Sequence, residues 1–376
     1  MPELWIPGPT EVRHAILEEC QRPMVGHRSR AMMDLIAALD PGLALAFGLA
    51  PDSTAQVAVH ACSASGMMEG SLTAVGPRVL SINGGAFGNR WLTIARALGK
   101  DVHEFKVEWG RAPAPQELDA VLTEEGPFDA VTLVSNETST GVRTPLGPIG
   151  EVVKRHGDTL LLVDLVSLIA GAPVDFDANG IDFGLAGVQK AFALPPGICV
   201  MAASQRYLEG AREHERGTFY LDPVRIFDGH AKRKPPITPV IGLHYALRRQ
   251  LADITTGASL PQAARQDSTG PEVAADWAWQ ARFDKHRRMQ ERTAAWGQVH
   301  GLQLLPPAAE ASPTVSCFRA GDLDVAAFVA ALGQKGYTIS NGYGDLKGKT
   351  FRIGHMGDHT EDGLERLLSA ADSCLG

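Results

Sequence analysis

Apolar residues along the first ~250 positions fall into short runs separated by amphipathic stretches, a rhythm that predicts strands alternating with helices. Strands are expected at Gln56–Ala61, Arg78–Ile82, Ala130–Val134, Leu160–Val163, Phe183–Gly187 and Gly197–Ala202. Several are apolar or β-branched throughout, as in strands buried on both faces of a largely parallel sheet. Between them, Met67–Val75, Asn89–Leu98 and Ile149–His156 carry helical periodicity. The texture changes at Pro235-Pro236-Ile237-Thr238-Pro239, which cannot form a regular helix. A helix is predicted over Ile241–Leu251. Residues 254–272, rich in Thr, Gly, Ser, Ala and Gln, read as a loop, and a long amphipathic helix follows over about Val273–Val299. The remainder reads as a small α+β unit, with strands Thr314–Arg319 and Phe351–Gly354 and helices Val325–Lys335 and Glu361–Cys374.

Composition narrows the function classes. With 376 residues, 44% of them hydrophobic, the chain suits one large domain and a smaller one. A net charge of −8 gives no electrostatic basis for binding nucleic acid, and Lys232-Arg233-Lys234 and Arg287-Arg288 are short enough to be solvated surface. Cysteines at 20, 62, 199, 317 and 374 have neither metal-ligand nor CxxC spacing, so no metal site or disulfide framework is expected. No apolar run reaches membrane-spanning length, and Met1-Pro2-Glu3-Leu4-Trp5 is not a basic leader, which makes the cytoplasm the expected location.

Ligands of open α/β sheets bind beyond the carboxyl ends of the strands, and four expected strands end in residues suited to that. Cys62-Ser63-Ala64-Ser65-Gly66 precedes a helical run, so its backbone N–H groups and helix dipole can cradle an anion, although such a loop is more often just a capped turn. Ser135-Asn136-Glu137-Thr138-Ser139-Thr140-Gly141 is a dense polar run after an apolar strand and favours a polar ligand over a plain capped loop. Asp164 directly follows Leu160–Val163. A buried carboxylate there needs either a cation, such as a protonated pyridine nitrogen, or backbone donors. Lys190 follows Gly187-Val188-Gln189 and precedes Pro195-Pro196-Gly197. A solvated lysine is the default reading, but a lysine closing a buried strand is desolvated and can become nucleophilic.

The order of these motifs carries a resemblance. Pro7-Gly8-Pro9-Thr10, Gly26-His27-Arg28-Ser29, Ala64-Ser65-Gly66-Met67-Met68-Glu69, Asn83-Gly84-Gly85-Ala86-Phe87-Gly88-Asn89-Arg90 and Asn136–Gly141 come first. Val163-Asp164-Leu165-Val166-Ser167, Gln189-Lys190-Ala191, Pro195-Pro196-Gly197, Thr238-Pro239 and Phe351-Arg352-Ile353-Gly354 complete the set. From Ile6 onward the chain resembles the class V aminotransferases of pyridoxal-phosphate (PLP) fold type I, within them the alanine–glyoxylate and serine–glyoxylate (serine–pyruvate) group. The resemblance implies an α/β fold: a mostly parallel seven-stranded sheet with helices on both faces, plus a small α+β C-terminal domain. It divides the chain into an arm at 1–14, a large PLP-binding domain at 15–255 and a small domain at 256–376.

It also implies roles. Lys190 carries PLP as a Schiff base and, once freed, moves the proton between substrate Cα and the cofactor. Asp164 pairs with the pyridinium nitrogen. Val166 packs on one ring face and Phe87 stacks on the other, while Thr138 bonds the phenolic oxygen. Ala64, Ser65 and Gln189 hold the phosphate, with Gly66 completing that loop. Thr238 reaches the phosphate of a neighbouring subunit, because this family builds its site across a homodimer interface. Arg352 binds the substrate α-carboxylate, and Gly8 lines the same pocket, where a side chain would crowd the substrate. The implied reaction is a ping-pong transfer from a small amino acid, Ala or Ser, to a small 2-oxo acid, glyoxylate or pyruvate.

The chain departs from the family pattern in five places, one of them the loop at 254–272, which is longer than usual. Ala64-Ser65 replaces the frequent Gly-Thr or Gly-His, Phe87 stands where Trp or Tyr is common, Ser135 replaces a His, and Pro235 takes the place of a Tyr that touches the partner's phosphate. The alternatives are weaker. A cysteine desulfurase has His before its lysine, where this chain has Gln189, and needs a catalytic thiol on a mobile loop; here Cys317 sits in an expected strand. A 2-aminoethylphosphonate aminotransferase fits Gly26–Ser29 less well. A non-catalytic PLP-fold binding subunit is disfavoured because Lys190 and Asp164 are both present.

Overall fold

The computed structural model describes residues 2–261 and 271–375, and of 271–274 only the backbone. Seven strands form the principal sheet: β1 (Gln56–His60), β2 (Arg78–Asn83), β3 (Asp101–Lys106), β4 (Ala130–Val134), β5 (Leu160–Asp164), β6 (Phe183–Gly187) and β7 (Cys199–Ala203). Their spatial order is β1-β7-β6-β5-β4-β2-β3. Only β7 runs against the others, pairing antiparallel with β1 and β6; the remaining ladders are parallel. Helices therefore carry the chain back between parallel strands. In the centre, β4, β6 and β7 are buried at every position, which is why they read as unbroken apolar runs. The edge strand β3, Asp-Val-His-Glu-Phe-Lys, buries one residue only, so it lacks the apolar run by which its neighbours are recognised.

Helix α1 (Ala64–Thr73) opens on Ser63, whose hydroxyl accepts the Gly66 N–H. Helix α2 (Ala86–Ala97) opens on Gly85, with Glu137 and Ser139 as its caps. A Cβ on Gly85 would lie 2.4 Å from Glu137 Cγ, so only glycine lets that cap approach. The expected helix over Ile241–Leu251 runs one turn further, to Thr255, and so takes in the first two residues of the expected 254–272 loop. Residues 262–270 of that loop lie outside the described part.

The C-terminal part forms a smaller layer. Strands β8 (Val315–Arg319), β9 (Ser340–Asn341) and β10 (Thr350–Gly354) build an antiparallel sheet with β10 central. Its own core includes Trp5, Met289, Trp296, Phe318, Phe328 and Phe351. The long helix α3 (Pro271–Val299) joins the two cores, placing Trp279 in the large one and Met289 and Trp296 in the small one. The N-terminal arm adds Glu3–Leu4 as a parallel strand beside Tyr337–Thr338 and then crosses β10, where Gly354 N–H donates to Trp5 O (2.7 Å). This crossing brings Gly8 to the end of the principal sheet.

A buried ionic cluster sits where these parts meet. Arg282, fully buried, donates to Asp358 Oδ1 (2.9 Å) and to the carbonyls of Ala170 (2.9 Å) and Ala191 (2.6 Å). Arg13 bonds Asp253 and Asp358 from the other side. Burial alone would raise the Asp358 carboxyl, but Arg282 and Arg13 overcome it and hold the group below the ordinary carboxylate range. The cluster ties α3 and the segment 355–359 to the backbone just beyond Lys190.

Candidate active site at the strand ends

Six parallel strands point their carboxyl ends at one rim, and β1, β2, β4, β5 and β6 each deliver polar residues there. These line a cavity of about 280 Å³ that also receives Pro7 and Gly8 from the arm and Ser340, Tyr343 and Arg352 from the small layer.

Lys190 lies three residues past β6 in a tight turn closed by Ala193 N–H on its carbonyl (2.8 Å). It is 7% exposed, and its Nζ donates to Thr138 Oγ1 (2.8 Å) and Ser167 Oγ (2.7 Å). Burial lowers its pKa well below the ordinary lysine value; Asp164 and Glu137 oppose that, while Arg352 and Arg90 add to it. A neutral amine is thereby accessible near neutral pH, as a nucleophile or a proton acceptor needs. Asp164 ends β5, where its Oδ1 accepts the Val166 N–H (2.8 Å). Burial pushes its carboxyl up, and the Val166 N–H and Lys190 act against that. Such a carboxylate favours a second cation beside it.

A second buried lysine provides a contrast. Lys285 is pushed down to about 7 by burial and by Arg282. Its Nζ, however, is committed to the carbonyls of Gly357 (2.7 Å) and His359 (2.8 Å). Both lysines border a cavity, but the hydrogen-bond partners of Nζ separate them: two hydroxyls for Lys190, two backbone carbonyls for Lys285.

Phe87 and Val166 both face the cavity, and the Phe87 ring centroid is 5.2 Å from Lys190 Nζ. Glu137 fixes Phe87 by accepting its N–H and that of Gly88 (3.1 Å each), while its other oxygen takes Ser139 N–H and Oγ–H. Thr138 serves two groups: its hydroxyl faces Lys190, and its carbonyl accepts Arg352 Nη1 (3.2 Å). Arg352, on β10, also donates to Asn341 O from Nε (3.2 Å) and Nη2 (3.0 Å). It is 7% exposed, and among the described residues it has no carboxylate partner, so an anionic ligand would complete it.

Ala64, Ser65 and Gln189 line the cavity as the sequence suggests, but Gly66 does not: its N–H is turned onto Ser63, both carbonyl (3.0 Å) and hydroxyl (3.4 Å). Gly8 lines it with φ +95, and an added Cβ would meet Lys190 Cγ at 2.7 Å, so a side chain there would strike the lysine itself before any substrate. Thr238 is exposed and lies outside the cavity of its own chain. Ser63, Arg90, Ser167, Ser340 and Tyr343 also line the site without having been assigned a role from the sequence. Ser63 and Ser167 could have been found as neighbours of assigned residues. Arg90, which donates to Ser65 Oγ (3.0 Å), lies one helical turn from Phe87 and could have been found the same way, whereas Tyr343 is brought in by tertiary folding.

Cys317 is fully buried on β8, and burial raises its thiol to about 11, which suits a packing role and not a nucleophile.

Comparisons with known proteins agree with this geometry. A family model described as aminotransferase class-V matches residues 76–255. The chain is 30% identical over 376 residues to an uncharacterized aminotransferase of Methanocaldococcus jannaschii, covering 99% of this chain and 92% of that protein. It is 28% identical over 390 residues to a serine–glyoxylate aminotransferase of Methylorubrum extorquens, covering 99% and 90% respectively. The crystal structure of an alanine–glyoxylate aminotransferase from Nostoc sp. matches with a TM-score of 0.87 at 26% identity, over 100% of this chain and 95% of that one.

Proposed function

Because the chain belongs to the class V aminotransferases, we propose that it moves the amino group of a small amino acid, alanine or serine, to glyoxylate or pyruvate in a ping-pong cycle. The cofactor of the family is pyridoxal phosphate, and the residues fit it. Phe87 and Val166 offer faces for a flat ring, and Asp164 is a buried carboxylate in want of a cation. The first turn of α1, with Ser65 and the Arg90 guanidinium on it, offers donors to a phosphate. The observation that carries the reading is the convergence of Lys190, Asp164 and Arg352 on one cavity of about 280 Å³.

Bound there, pyridoxal phosphate supplies an electron-withdrawing ring that stabilises negative charge developing at the substrate Cα. In this reading Lys190 would hold the cofactor through Nζ and, when freed, would carry the substrate Cα proton on that Nζ to the cofactor carbon C4′. Thr138 and Ser167 hold that Nζ in place between the two transfers. Asp164 keeps a negative charge against the ring nitrogen. Arg352 receives the α-carboxylate in a bidentate pair, which orients the Cα proton toward the lysine. Arg90 is taken up by the phosphate end through Ser65. That leaves no further cation on the cavity for a second substrate carboxylate among the described residues, and so favours uncharged side chains.

The same reading makes the protein a cytoplasmic homodimer, with Thr238 completing the neighbour's phosphate site; its exposure outside its own cavity supports this. Among the described residues no helix is long and apolar enough to cross a membrane. The test is a donor-by-acceptor panel on the purified holoenzyme. Alanine and serine with glyoxylate or pyruvate are expected to give the highest kcat/KM. Aspartate or glutamate outrunning both would overturn the substrate assignment.

A further inference from the structure

We propose that Tyr343 sets the largest amino-acid side chain the site accepts, because with Arg90 it forms the wall between the site and a second cavity beside it. The inference rests on the reading of Arg352 as the carboxylate holder. Tyr343 and Arg90 both line the 280 Å³ cavity and a neighbouring, more open one of about 630 Å³, whose other walls include Asn83, Asn89, Lys106 and Trp109; Arg90 is drawn to Ser65 Oγ (3.0 Å), which leaves the Tyr343 ring as the bulk on the Arg352 side. Its ring stacks on Phe87 with centroids 6.0 Å apart and planes 23° from parallel, and the Arg352 guanidinium carbon is 5.6 Å from its centroid. Tyr343 therefore adjoins both Phe87, the face offered to the cofactor ring, and Arg352, the holder of the substrate carboxylate, and so borders the space between them. A donor side chain that grows beyond a methyl or hydroxymethyl group toward the second cavity meets this ring.

The wall is held by its own loop. Gly342 N–H donates to Thr350 O (2.7 Å), Leu346 N–H to Tyr343 O (3.2 Å) and Gly348 N–H to Asn341 Oδ1 (2.8 Å). Gly344 adopts φ +56, and a Cβ on Gly342 would lie 2.0 Å from Leu346 O, so the turn is packed backbone on backbone. The ring is 42% exposed, hence its removal joins two solvent-reachable spaces without opening a hole in either core. Bulk is the property at work, so a phenylalanine in its place keeps the wall and an alanine or serine removes it.

The experiment compares wild-type holoenzyme with Tyr343→Phe, Tyr343→Ala and Tyr343→Ser, using alanine, 2-aminobutyrate, norvaline and norleucine as donors to glyoxylate. Binding is read separately from the change in cofactor absorbance on titrating the 2-methyl derivatives of the same acids, which have no Cα proton to lose. In the two small variants the norvaline-to-alanine ratio of kcat/KM is expected to rise about 10-fold or more, in keeping with the worth of a methylene in a pocket. Affinity for 2-methylnorvaline rises with it, and Tyr343→Phe keeps the wild-type ratio. An unchanged ratio in the small variants, or an equal loss for every donor, overturns the proposal. Failure of the underlying reading is seen elsewhere, as an Arg352→Lys enzyme whose KM for alanine does not move.

Discussion

Two lysines of this chain are buried with lowered pKa values, and only one of them has partners that chemistry can use. Lys190 shares its proton with Thr138 and Ser167 across a cavity from Asp164, whereas Lys285 spends its hydrogen bonds on backbone carbonyls. Replacing Lys190 by Ala is expected to abolish turnover while the protein still takes up pyridoxal phosphate non-covalently; turnover near the wild-type rate would refute its role. Arg352→Ala removes the charge pair to the α-carboxylate, and KM for alanine is expected to rise by the equivalent of about 2–5 kcal/mol, read from steady-state kinetics. At this scale the sequence was informative where a residue sits at or just past a strand's end, as Asp164 and, three residues beyond β6, Lys190 do. It placed Arg90 in a motif one helical turn from Phe87 but gave it no role, it was silent on Tyr343, and for Gly8, which does line the cavity, it did not foresee the contact with the stem of Lys190.

Elements place these groups through the alternation of the fold. Parallel strands with helical returns put all their carboxyl ends on one rim, so five loops far apart in sequence share a cavity. That rule, with the apolar runs of β4, β5 and β6, made most of the principal sheet legible. Edge strand β3 was not, because one-sided burial erases the apolar run. The arm is the least local element: it reaches the cavity only by crossing β10, and Gly8 passes Lys190 at φ +95. Gly8→Ala is therefore expected to cost roughly 1–3 kcal/mol in strain and to slow the covalent uptake of cofactor by displacing the lysine stem. Denaturant melts and the rate of cofactor absorbance change check it; a variant unchanged in both would show that the contact is easily relieved.

At the scale of the whole molecule, the large and small layers are locked together by Arg282, Arg13 and Asp358, beside the turn that carries Lys190. Removing one partner of a buried pair strands the other's charge, so Arg282→Ala is expected to destabilise the fold by about 3–5 kcal/mol, measured by urea unfolding. Lys285 sets a pH dependence in the same region. With its pKa pushed down to about 7 in the folded state, the folded protein binds fewer protons there than the unfolded chain as pH climbs toward the ordinary lysine value near ~10.4. Stability relative to Lys285→Met should therefore increase with pH across that window, and parallel curves for the two proteins would contradict it. Neither the cluster nor this titration could be read from sequence, since its members come from the arm, the helix ending at Thr255, α3 and the segment after β10, with no shared motif.

In the proposed function pyridoxal phosphate is held covalently by Lys190, three residues past β6. The direct measurement is borohydride reduction of the purified holoenzyme, followed by proteolysis and mass mapping of the pyridoxyl group. The label is expected on Lys190. A label on Lys285 or any other lysine, or none on a protein that has taken up the cofactor, would contradict it.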